Sequence, residues 1–102
     1  KDIMKKYWIY IITSKKNGTL YIGVTNNLAR RIYEHKQQKI SGFTQKYNLS
    51  ILVYAEQHAT IIQAIKREKQ VKHWNRDWKI ALIEEKNPMW YDISDQLLEG
   101  ML

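Results

Sequence analysis

Arg31 and His35 stand four residues apart, so on a helix they share one side. The triplet Tyr21-Ile22-Gly23 runs into them from upstream, and a second tyrosine, Tyr10, closes the run Trp8-Ile9-Tyr10 before it. An arginine offers a planar, forked donor that suits phosphate oxygens. Glu68 adds a carboxylate in an unexpected place. At about 100° per residue it falls roughly 20° from Ile61 and roughly 60° from Ile65, in the middle of its helix's apolar arc. A carboxylate held there must be paired, neutral or bound to a cation, because burying it bare is costly. Each of these residues also has a plainer role: strand packing for the tyrosines, a surface cation for Arg31, a helix-end histidine for His35, and an ion pair with Lys72, one turn on, for Glu68. Arg30, a turn-neighbour of Glu34, reads as surface. What decides between these roles is whether the fold brings the five together.

The elements that would position them follow from pattern. Tyr7–Thr13 is a β-branched and aromatic run, apolar on both sides, and reads as a central strand. Asn17-Gly18 supplies the strongest turn signal, and Thr19–Val24 is the returning strand of a hairpin. With a four-residue loop from Lys15 to Gly18, Ser14 pairs with Thr19 and Tyr10 lies opposite Gly23. Tyr10 and Tyr21 then become diagonal neighbours on one face, roughly 7 Å apart. A two-residue loop keeps them on that face but moves them apart along the strands. Gly23 leaves the face open, as expected where another backbone or a ligand comes close. Leu20, Ile22 and Val24 point the other way and offer a wall for helices.

Asn26 or Asn27 can cap the helix that carries Arg31, with Leu28 and Ile32 as its apolar positions. Residues 39–50 read as an ordered loop in which Phe43 and Tyr47 seek burial. Ile51–Glu56 is a third strand. A long helix from Thr60 would place Ile61, Ala64, Ile65 and Val71 on one side. Asn75 would cap a last helix with Trp78, Ala81 and Leu82 inward, stopped by Asn87-Pro88. No structure is assigned to the tail from Asp92. The fold class is α+β: a small, mainly antiparallel three-stranded sheet flanked by helices, in the order β-β-α-β-α-α.

The chain has 102 residues, enough for one domain, and its 44% hydrophobic content suffices for one core. Seventeen Lys and Arg against ten Asp and Glu give a net charge of +7, which favours a polyanionic partner such as DNA or RNA. A basic face kept for solubility would give the same number. With no cysteine, disulfides, thiolate catalysis and Cys-based zinc sites are excluded. No apolar run approaches the ~18 residues that span a bilayer, so no membrane partner is expected and the cytoplasm is the default location.

Taken together, these positions resemble the GIY-YIG nuclease family, and specifically its small stand-alone bacterial members. Trp8-Ile9-Tyr10 and Tyr21-Ile22-Gly23 match the two half-motifs. Arg31 follows the motif glycine by eight residues and His35 comes four later. Glu68 in "REKQVK" matches the family's metal-binding glutamate, and Asn87 in "KNPMW" its late asparagine. The likeness runs over about residues 7–92, leaving 1–6 and 93–102 as terminal extensions. A Tyr-Ile-Gly triplet alone carries nothing; the ordered set on the right elements carries the resemblance. Trp8 stands where the family has its first motif glycine, which bears on backbone shape near the substrate more than on the chemistry.

The resemblance implies an endonuclease that hydrolyses phosphodiester bonds with one divalent cation, Mg²⁺ or Mn²⁺, and Glu68 as its only protein carboxylate. Such sparse ligation suits Mg²⁺, which gives up its waters reluctantly. Tyr10 would assist or deprotonate the attacking water with His35 as helper, Arg31 would hold the scissile phosphate, Tyr21 would orient water or phosphate, and Asn87 would brace the site. DNA stands ahead of RNA as substrate. The competing classes are a catalytically silent, basic nucleic-acid-binding module and a protein-interaction domain with an incidental basic face.

Overall fold

The structure is a computed structural model that describes residues 6–37, 42 and 46–101. Its first strand, β1 (Tyr7–Thr13), is flanked by β2 (Leu20–Thr25) and β3 (Ile51–His58), both antiparallel to it, in the sheet order β2-β1-β3. The central place agrees with a strand apolar on both sides. The turn follows the Asn17-Gly18 signal: the Gly18 amide donates to Lys15 O at 2.9 Å, and Asn17 takes the left-handed backbone with φ +60°. Thr13 pairs with Leu20 and Tyr10 with Gly23, the register of the four-residue loop. Against β3 the pairing slips by one between Ile11 and Ile12, since Ile11 faces Tyr54 while Ile12 faces Leu52.

Three of the helices begin where short polar side chains cap them. Asn27 accepts from Arg30 N ahead of α1 (Leu28–Lys36), Thr60 from Gln63 N ahead of α2 (Ile61–His73), and Asn75 from Trp78 N ahead of α3 (Arg76–Lys86). A fourth helix, α4 (Ser94–Met101), occupies the tail to which the sequence pattern assigned nothing. Its start is organised by Asp92, whose Oδ1 accepts from Ser94 N at 3.1 Å. The Ile93 amide bonds Leu52 O at 2.8 Å, so the tail is stitched to β3. Among the described residues the element order is therefore the predicted β-β-α-β-α-α with one further helix at the end.

The sheet has two covered faces. On one, Ile9, Ile11, Ile22 and Val53 meet Ala64 and Val71 of α2, Ile83 of α3 and Trp90. On the other, Tyr10, Ile12 and Leu52 meet Leu28 and Ile32 of α1 and Leu49, with Ile93, Leu97 and Leu98 packed alongside. Several expected orientations are corrected here. Ile61 and Ile65 are 42% and 37% exposed, so only Ala64 and Val71 of the predicted stripe face the core. Trp78 is 59% exposed and Ala81 is exposed too, while Ile83 is fully buried. Tyr47 lies on the surface, and Phe43 falls outside the described residues.

Asn87 is buried at the end of α3. Its Nδ2 donates to Val53 O and Tyr91 O at 3.0 and 2.9 Å, and its Oδ1 accepts from Tyr91 N at 3.0 Å. This single amide ties the turn after α3 to the central part of β3. Asn87→Ala would leave those backbone groups without partners, and it is expected to lower the unfolding free energy by roughly 2–3 kcal/mol, read from denaturant titration.

Candidate active site

The hairpin register builds the site from Tyr10 outward. Directly across from it, Gly23 has no side chain, and a Cβ placed there would lie 2.5 Å from Tyr10 Oη and 2.6 Å from Cζ. What comes close to Gly23 is thus the ring of Tyr10 itself, folded over the glycine. In that pose Tyr10 Oη lies 3.3 Å from Nε2 of His35, which α1 delivers from above the same sheet face. Tyr21 completes the cluster: its ring centroid is 6.3 Å from that of Tyr10 and 6.0 Å from that of His35. Tyr10 and His35 meet edge to face at 5.7 Å.

Both members of the Tyr10–His35 contact are neutral near pH 7. His35 is only 3% exposed, and burial, reinforced by the Arg31 guanidinium, lowers its pKa to about 4 against a partial offset from Glu34. Tyr10 is pushed well above the ordinary phenol range, first by burial and then by Tyr21, Glu34 and Glu68, with Arg31 opposing. Arg31 and Glu34 thus act on both groups, and Glu68 acts on the tyrosine as well.

Arg31 sits at the rim, its Nε 3.8 Å from Glu34 Oε1. Glu34 also receives Arg30 Nε at 3.3 Å. The sequence reading placed the Arg30–Glu34 pair on the surface and missed that Glu34 reaches both arginines and both titrating rings. Its position one residue before His35 was the available signal. Glu68, on α2, is 12% exposed and pairs with the 48% exposed Lys72 at 2.6 Å. Asn87 makes its bonds to β3 and the turn, apart from the tyrosine cluster.

The profile of the GIY-YIG catalytic domain matches residues 6–81. The chain belongs to the GIY-YIG family. It is 35% identical over 83 residues to the UPF0213 protein SH2523 of Staphylococcus haemolyticus, covering 81% of this chain and 100% of that one. The UPF0213 protein SSP2268 of Staphylococcus saprophyticus is likewise 35% identical, over 80% of this chain and 99% of its own. Among solved structures, the solution NMR structure of the UPF0213 protein BH0048 from Bacillus halodurans superposes with a TM-score of 0.55 at 27% identity, covering 87% of this chain and 94% of that one. These relatives are small bacterial proteins, and the α+β architecture is a GIY-YIG fold.

Nucleases of the GIY-YIG family use a divalent metal, and the donor set here bears on how one could be held. Among the described residues no group of three or more His, Asp or Glu gathers, and the chain has no cysteine. A single carboxylate with water filling the other positions is compatible with Glu68, whose present partner is an exposed, flexible ammonium able to swing away.

The His35 environment has a measurable consequence. A histidine whose folded pKa is lowered to about 4 from an ordinary 6.5 contributes stability that is full above about pH 6.5 and is lost as pH falls toward 4. Wild type is expected to lose on the order of 2 kcal/mol between pH 6.5 and 5 from this residue. The carboxyls of Glu56 and Asp92, held below their ordinary range despite the opposing effect of burial by hydrogen bonds to Tyr54, Arg67 and His58 and to Lys36 and Ser94, act at lower pH. His35→Gln should flatten the melting temperature between pH 6.5 and 5; an unchanged slope would remove His35 as its source.

Proposed function

We propose that the protein is a divalent-cation-dependent endonuclease that hydrolyses phosphodiester bonds in nucleic acid, with DNA ahead of RNA. The observation that carries this reading is the Tyr10 Oη–His35 Nε2 contact at 3.3 Å, between two neutral groups, with Arg31 at its rim. Hydrolysis needs a water activated near neutral pH, and a free phenolate is unavailable where burial keeps the Tyr10 proton on. His35 Nε2 is placed to accept the Tyr10 proton as Tyr10 takes one from the attacking water; burial and Arg31 disfavour the imidazolium, so the proton passes on to solvent or to the leaving oxygen rather than resting there. Arg31 holds the scissile phosphate by its fork, and Tyr21 orients water or phosphate beside Tyr10. A divalent cation held by Glu68, Mg²⁺ or Mn²⁺, would supply charge stabilisation at the phosphoryl oxygens. Asn87 supports the site through β3 as a positioning residue. Residues 7–92 are taken as the catalytic unit, acting in the cytoplasm; no helix among the described residues is long and apolar enough to cross a membrane.

The Glu68–Lys72 pair at 2.6 Å favours a second reading, a catalytically silent nucleic-acid-binding module in which Glu68 is structural. Glu68→Gln separates the two. As a metal ligand, its loss should abolish cleavage of plasmid or branched DNA while binding holds or tightens, and Mn²⁺ should raise the melting temperature of wild type but not of the variant. As a structural partner of Lys72, its loss should lower the melting temperature and leave any cleavage intact in the folded fraction, with equal Mn²⁺ responses.

Both readings share a net charge of +7. Affinity for nucleic acid should therefore fall steeply with salt, by counterion release. A flat dependence in a filter-binding or anisotropy titration would favour the interaction-domain class instead.

A further inference from the structure

Arg31 stands between two depressions in the surface. One, of about 230 Å³, is polar throughout, with Asn27, Arg30 and Glu34 beyond Arg31. The other, of about 380 Å³, shares Thr25, Asn26 and Arg31 with the first but is walled on its far side by Tyr7, Val24, Ile61 and Ile65. Those two isoleucines are 42% and 37% exposed, yet they lie seven and three residues before Glu68 and share its side of α2. The apolar arc that contains Glu68 therefore looks partly into this depression rather than into the core.

A phosphodiester backbone and a hydrated cation have no use for isoleucine: both are bound by charge and hydrogen bonds. A nucleobase is different, with apolar faces and polar edges, and an unstacked base gains by lying against apolar or aromatic side chains. We propose that the depression seats one unstacked nucleobase adjoining the phosphate held by Arg31, its faces against Tyr7, Ile61 and Ile65 and its edge toward Thr25 and Asn26. The preferred substrate then carries an unpaired base at the cleaved position, in a single strand or a locally opened duplex. The volume is of the order that small-ligand sites occupy, and the depression is continuous with the catalytic cluster through Arg31. The inference rests on the nuclease reading for the role of Arg31.

The test is binding in EDTA, which needs no cleavage. A single-stranded oligonucleotide with one 2-aminopurine is compared with an equal-length strand carrying an abasic site there and with a continuous duplex. Wild type should change the 2-aminopurine fluorescence and bind the intact strand about tenfold more tightly than the abasic one. Ile61→Gln/Ile65→Gln, which keeps helix propensity at two exposed positions, should erase both effects while duplex affinity stays within about twofold. Equal wild-type affinity for intact and abasic strands, or an unaltered preference in the double variant, would overturn the base site and leave the nuclease reading standing. Absence of binding to any of the three would overturn both. A concentration-dependent dimer in sedimentation that the double variant abolishes would assign the depression to a second copy of the chain and refute the proposal.

Discussion

The placement of the Tyr10 ring over Gly23 is the contact on which the rest of the site depends. It requires two conditions at once: position 23 must lack a Cβ, and the hairpin must close in the register that pairs these two residues. A register slip of one would send either tyrosine to the opposite face, and a slip of two would keep the faces but separate the rings. The register is held by turn chemistry at Asn17-Gly18, and also from outside. Arg76, the first residue of α3, donates from Nη2 to the carbonyls of Asn17 and Gly18 at 2.7 and 2.6 Å. A residue remote in sequence thus holds the turn that aligns Tyr10 with Gly23, and through it with His35.

The hairpin was legible because its determinants are local. Asn-Gly marks the turn and strict alternation assigns the faces, so both tyrosines fall on one face with either loop length; the four-residue loop, one of the two left open, is the one that gives the Tyr10–Gly23 pairing. The cap at Asn75, and that at Asn27 as one of two candidates with Asn26, are legible for the same reason, each a side chain reaching an amide three residues on; Thr60, read only as the start of its helix, caps in the same way. What periodicity could not say is which surface an apolar stripe faces. On α2 the small Ala64 and the β-branched Val71 touch the sheet, and the larger Ile61 and Ile65 line an open depression, so hydrophobic bulk pointed to the wrong side. On α3 the same error exchanged Trp78 for Ile83. In the tail, acidic residues interrupt the apolar ones, yet Ile93, Leu97 and Leu98 recur at a spacing of four and five and become one contact face once a sheet is there to receive them. The role of Asn87 was illegible as local structure, because its partners are backbone atoms of a strand 34 residues away and of a turn that places Trp90 at φ +60°.

That Tyr10, Tyr21 and His35 would meet on one face of the sheet was legible, but the energetics of their meeting were not. Burial decides the charge state of both Tyr10 and His35, and burial depends on how α1 packs across the sheet through Leu28 and Ile32. Leu28 and Ile32 are usually explained by the core. Here they also set the protonation of a histidine one turn further on, by keeping water from it. Arg31 acts in the same direction on His35 and in the opposite direction on Tyr10, stabilising a phenolate while discouraging an imidazolium.

These opposed influences bear on how a resting site of this kind could become a reactive one. Three of the causes that hold the proton on Tyr10 are fixed by the fold: burial, Tyr21 and Glu34. The fourth and smallest, Glu68, is 12% exposed and already pairs with the half-exposed ammonium of Lys72. A cation beside a carboxylate inverts the field of that carboxylate, but burial, the largest cause, stays in place and keeps the proton on Tyr10. Under the proposed reading, a cation that would stabilise the phosphate would also remove the small contribution of Glu68 to the raised Tyr10 pKa. A second acid close to Tyr10 would raise its pKa further, and in this site that cost is already carried by Glu34, which two arginines offset.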